Sequence, residues 1–145
     1  MKATVFNKTL PDRTFRGMIF LRVAVGLIFI LAGIRKFLEP AEMGAGRFAE
    51  MGLPAPGFLG PFVGLCELLG GLGVLLGLYT RLSALPLAIT MVFAIFLTKL
   101  SNFADDGFIQ GLHAMRLDGI LLLSSLYLIY AGSGTLALDR RFRRK

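Results

Sequence analysis

The chain has no tryptophan, one cysteine and one histidine in 145 residues. A lone Cys66 excludes an internal disulfide, a CxxC dithiol and a cysteine-based zinc site. A lone His113 gives imidazole metal binding too little to work from, so no metal centre is expected. It also excludes a b-type haem held by two histidines of one chain. No glycine fingerprint sits on a strand–turn–helix, so flavin or nicotinamide in a Rossmann domain is out. No intrinsic cofactor is therefore expected, and any electron carrier working with this chain is a quinone or belongs to a partner. Charge is also scarce, at 17% of residues.

What the chain does have is apolar residues, 55% of the total, with a mean hydropathy of +0.72. They come in blocks, and blocks of about 20 apolar residues span a bilayer. Four segments qualify, at about 15–37, 58–79, 82–100 and 112–131. Val23 to Ile34, Leu68 to Tyr79 and Ser83 to Thr98 carry no charge. A long helix buried in a soluble bundle keeps a wide polar face, and these runs have none. The first block is too long for a secretory signal and lacks a clean small-x-small cleavage site. The expected fold is all-α, a four-transmembrane-helix bundle forming one domain over 1–145. Its partner by composition is the lipid bilayer.

The net charge of +7 would suggest nucleic acid in a soluble protein. Here the cations flank apolar blocks, so no nucleic-acid partner is expected, and the end cations lie against anionic headgroups. Lys2, Lys8, Arg13 and Arg16, the turn residue Arg81, and the basic tail 139–145 fall on one side of a four-span chain. The other side mixes Arg35, Lys36, Arg47 and Lys99 with five acids. By the positive-inside rule both termini face the cytoplasm. Between the first two spans, Glu39 to Glu50 reads as a short amphipathic helix, with Phe48 and Met51 toward the membrane.

Ionisable residues inside spans are costly and are placed with partners or along a pathway. Arg22, Glu67, Arg116 and Asp118 are the four in question. Glu67 lies mid-span on a face with Gly60, Gly64 and Gly71, small residues that let a neighbouring helix come close. Two readings stand: a structural ion pair with Arg22, or a proton-carrying, ligand-binding carboxylate. Arg22 either snorkels to the interface or pairs with Glu67 or Asp118. Arg116 and Asp118, two residues apart on a helix, point to nearly opposite faces. Lys36, beside Arg35 at the end of the first span, suits the helix dipole there and is also a candidate for an anion or quinone headgroup. His113 at the mouth of the fourth span is an interface residue or a proton-transfer group.

Several stretches resemble the DoxX family of small bacterial and archaeal membrane proteins. They are LRVAVGLIFILAGIRKF (Leu21 to Phe37), GLPAPGF (Gly52 to Phe58), CELLGGLGVLLGLYTRLSAL (Cys66 to Leu85) and AGSGTLALDRRF (Ala131 to Phe142). SNFADDGF (Ser101 to Phe108) is similar to the matching loop of YqjF-type members. The resemblance implies a four-helix bundle in the bacterial inner membrane. It also implies a link to quinone redox chemistry or to redox-stress complexes. The recurring polar sites it carries over are Arg22, Lys36, Glu67, Arg81 and Asp139. The run His113 to Asp118 departs from the family pattern.

Three functions follow as expectations. One is a redox-linked, quinone-associated membrane subunit docking redox partner proteins, with Glu67 as proton carrier and Arg22 or Lys36 holding a carbonyl oxygen or an anion. His113, Arg116 and Asp118 complete its candidate ligand residues. The second is a non-enzymatic scaffold or assembly subunit. The third, a small transporter, would need a homo-oligomer to form a pore.

Overall fold

A computed structural model of the chain describes residues 17–99, 108–134 and 137–138. Lys2, Lys8, Arg13, Arg16, Asp105, Asp106, Asp139 and the rest of the basic tail lie outside the described residues. So the orientation that rested on them is an expectation only.

Helix α1 spans Met18–Leu38, α2 Ala45–Glu50, α3 Pro56–Leu76 and α4 Thr80–Ala94. A π-helical stretch, Ile95–Lys99, prolongs α4, and α5 spans Phe108–Ala131. The four long segments are apolar enough to cross a membrane, α4 through Leu97. Each expected span coincides with one of these helices, with shifted ends. Helix α3 starts earlier than expected, with Pro56 in its first turn, where a missing N–H costs nothing. It ends at Leu76 because Gly77, at φ 69°, turns left-handed. Gly77 N–H donates to Val74 O and Leu78 N–H to Gly73 O, the Schellman pattern that closes a helix. Helix α4 therefore starts at Thr80 rather than Leu82. Of the expected segment from Glu39 to Glu50, only Ala45–Glu50 is helical. Glu42 and Glu50 are exposed as expected, while Phe48 and Met51 are half-buried.

Helix α3 lies between α1 and α4, α5 packs on α4, and α1 touches α5 only thinly. Helix α2 rests on α3 at one end of the bundle. The α1–α3 seam is built on glycine. A Cβ on Gly26 would strike Gly71 O, and one on Gly33 would strike Gly64 O and Leu68 N. Two backbones this close gain packing that no larger residue permits. Gly70 faces α4 instead, against Leu87 and Ser83, and Gly60 faces Ala45 of α2. The core holds Val25, Phe29, Val74, Leu87, Met91, Leu121 and Leu128. Outward positions such as Phe20, Leu31, Leu69, Phe93 and Leu123 are exposed. Apolar surface on this scale marks a membrane interface rather than a soluble monomer.

Candidate functional site

Among the described residues, buried charge sits at two places. At the end formed by the start of α1, the C-terminus of α3 and the residues after α5, Arg22 is 2% exposed. Its Nε donates to Val74 O at 2.9 Å, Nη2 to Leu75 O at 3.0 Å and Nη1 to Ser133 O at 2.9 Å. The last carbonyls of a helix lack intrahelical donors, and a cation there also meets the negative end of the helix dipole. Gly77 is needed for space as well as for its φ, because a Cβ there would run into the Arg22 guanidinium. Arg81, half-buried, lies beside Gly132 at the same end.

Toward the α2 end, Lys36 Nζ donates to Glu67 Oε2 at 2.6 Å. The Glu67 side chain is 3% exposed and that of Lys36 16%. This corrects the expected Arg22–Glu67 pair, and helix geometry explains why. The glycine contacts set Gly26 against Gly71 and Gly33 against Gly64 in an antiparallel register. Side chains tilt toward the N-terminus of their own helix. In that register Lys36 tilts down α1 and Glu67 tilts down α3, so the two lean toward each other. Arg22 tilts the opposite way along α1 from Glu67 and meets the end of α3 instead.

The remaining candidates lie on α5. Arg116 is exposed, and its Nη1 lies 2.7 Å from Nδ1 of the exposed His113. Asp118 is half-buried. The expected opposite facing of Arg116 and Asp118 is therefore present. Arg116 shares the outward stripe with Ile120, Leu123 and Tyr127, and Asp118 shares the inward one with Gly111, Leu121, Ser125 and Leu128. Arg35 pairs with Glu39 at 2.7 Å on the exposed surface. Asp139 lies outside the described residues. Among the described residues no cluster of three metal-ligating side chains occurs. Sequence reasoning missed two groups, the hydroxyls of Thr80 and Ser125, both buried without a hydrogen-bond partner. The only signal available was Ser125 on the stripe of Asp118.

Chemically, the Lys36–Glu67 pair offers an ammonium donor beside an acceptor carboxylate in a place shielded from water. Such a pair can orient a carbonyl or hydroxyl group and exchange a proton with it.

The comparisons agree with this architecture. An uncharacterized membrane protein of Mycobacterium tuberculosis is 42% identical over 134 residues, covering 88% of this chain and 82% of the relative. The Bacillus subtilis protein named "Putative oxidoreductase CatD" is 36% identical over 124 residues, 85% and 84% of the two chains. The inner membrane protein YqjF of Escherichia coli is 33% identical over 131 residues, 89% and 94%. No solved structure matches. The DoxX model matches residues 17–100, more than half of the sequence and all of α1 through α4. The chain is thus a multi-pass membrane protein and belongs to the DoxX family.

Proposed function

We propose that this protein is a redox-linked subunit of the bacterial inner membrane that holds a quinone or quinol at the Lys36–Glu67 pair. The observation that carries this reading is a carboxylate, 3% exposed, bonded to an ammonium inside the bundle. Desolvating two charges in such a place offsets much of their mutual attraction, so the pair is weak evidence for a purely stabilising role. Lys36 donates to a quinone oxygen, and Glu67 takes or returns the quinol proton. Arg22, committed to three backbone carbonyls at the other end, drops out of the ligand set and becomes a structural residue. The CatD relative, named as an oxidoreductase, lends support, as does the name of YqjF for the inner membrane. In this reading both termini face the cytoplasm and a partner protein supplies the remaining redox centre.

Reconstitution into vesicles loaded with a membrane quinone provides the test. Glu67→Gln should lower quinone binding and any quinone-dependent turnover at least tenfold. Unchanged binding in a folded variant overturns the proposal. A second reading, a scaffold subunit, is favoured by the direct Lys36–Glu67 contact, which ties α1 to α3 alongside the glycine seam. It expects Glu67→Gln to weaken the fold and leave quinone binding at the vesicle background.

A further inference from the structure

Ionisable residues inside a membrane span turn toward the bundle interior as a rule. On α5 two do the opposite. His113 and Arg116 lie on its outward stripe and are exposed. Around them on that surface stand Leu112, Leu117, Ile120 and Leu123, which are 43%, 52%, 62% and 68% exposed. Asp118, the nearest acid in sequence, belongs to the half-buried face. The two outward residues meet each other, with Nη1 of Arg116 2.7 Å from Nδ1 of His113 one turn away. A neutral imidazole accepts at one nitrogen and keeps an N–H on the other, and a guanidinium has more donors than one imidazole can take. Among the described residues no acid pairs with Arg116. The cluster therefore presents a positive charge and several N–H groups that await an anion.

Depth and surroundings say which anion. Tyr127 and Tyr130 are exposed on the same stripe near the other end of α5, and tyrosines collect at a membrane interface. At 1.5 Å per residue, Arg116 lies about 21 Å along the helix from Tyr130 and His113 about 25 Å. The hydrocarbon core is about 30 Å thick, so both stand within about 9 Å of the opposite interface. Helical side chains tilt toward the N-terminus, and the N-terminus of α5 points to that interface. A long cationic side chain carries its charge across such a gap. The anion of that layer is the headgroup phosphodiester. A phospholipid also answers the apolar surface below the cations, and α5 is the least buried of the four spans.

We propose that Arg116 and His113 form a binding site for one anionic phospholipid in the leaflet at the α2 end. Arg116 forks onto two phosphate oxygens, a geometry that guanidinium matches and ammonium does not. His113 donates from its other ring nitrogen, and an acyl chain lies along Leu117, Ile120 and Leu123. This site is separate from the Lys36–Glu67 pair and stands whether or not that pair holds a quinone.

Native mass spectrometry of the full chain in mild detergent tests it, with dioleoylphosphatidylglycerol or dioleoylphosphatidylcholine added. One phosphatidylglycerol should stay bound under activation that strips phosphatidylcholine, whose own cation repels Arg116. Equal retention of the two lipids overturns the proposal. Arg116→Gln should lower phosphatidylglycerol affinity about fivefold, the effect of one cation beside an anionic lipid. Arg116→Lys should keep part of the binding, since the charge remains and the fork is lost. His113→Ala should lower affinity about threefold, the effect of one hydrogen bond. Arg35→Ala removes another exposed cation at the same end, one already paired with Glu39, and should change affinity by less than about twofold. Equal losses from Arg35→Ala and Arg116→Gln make the effect one of general charge and overturn the site. Excess inorganic phosphate should not displace the lipid, and displacement overturns the lipid assignment. If Arg116→Gln instead shifts the chain between monomer and oligomer with lipid retention unchanged, the occupant is a second copy and the proposal falls. Both residues are exposed, so the variants should keep the parent Tm. If Arg116→Gln does not fold, His113→Ala and Arg116→Lys decide the same question.

Discussion

Arg22 and Lys36 are both cations on α1, yet the molecule answers them in different ways. Arg22 donates to the main chain of α3 and of the segment after α5. Lys36 donates to a side chain, Glu67. Main-chain acceptors persist through any substitution around them, so the Arg22 end is a fixed joint. A side-chain acceptor can be lost by substitution or change its protonation, so the Lys36 end is adjustable. On the proposed function, structure concentrates at one end and chemistry at the other.

That contrast can be broken most severely at Arg22. Arg22→Leu leaves three carbonyls without their donor and should cost about 4 kcal/mol, since bonds to charged groups run about 1.5–3 kcal/mol each and overlap in effect. Unfolding in mixed detergent micelles measures it, and a loss under about 1 kcal/mol would undo the fixed-joint description. Lys36→Met strands the Glu67 carboxylate and should cost about 3 kcal/mol. Adding Glu67→Leu should recover a large part of that loss, and strictly additive effects would mean that the two residues act separately. Between the ends, Gly33→Val drives a side chain into Gly64 O and Leu68 N. A cost of about 2 kcal/mol is expected, with α1 moved off α3, seen as faster proteolysis or lower Tm. Ser83→Ala removes the 3.0 Å bond from Ser83 Oγ to Leu78 O and should cost about 1 kcal/mol by the same unfolding assay. Arg35→Ala breaks an exposed i,i+4 pair with Glu39, and a change above about 0.5 kcal/mol would be unexpected. This last variant sharpens the contrast, for Arg35 adjoins Lys36 in sequence and differs from it in burial.

Much of the fold was legible because hydrocarbon thickness imposes it. Uncharged runs such as Val23 to Ile34 allow no reading other than burial in lipid or protein. Gly64 and Gly71 were also legible as seam residues from their spacing with Glu67. The partner of Glu67 was not, because pairing depends on the register between α1 and α3 and on side-chain tilt. Spacing along one helix contains neither. Gly60 and Gly70 share the composition of the seam but serve α2 and α4, which only three dimensions distinguish. On α5, opposition of Arg116 and Asp118 followed from 3.6 residues per turn. Which of the two turned inward did not, since both flanks of that helix are apolar.

The bond from Arg22 to Ser133 joins the first span to residues just past the last. During synthesis a ribosome delivers Arg22 long before Ser133 exists. Until the final span has entered the bilayer, the first carries a guanidinium with part of its seat missing. A product stopped short of Ser133 would leave Nη1 of Arg22 without this acceptor.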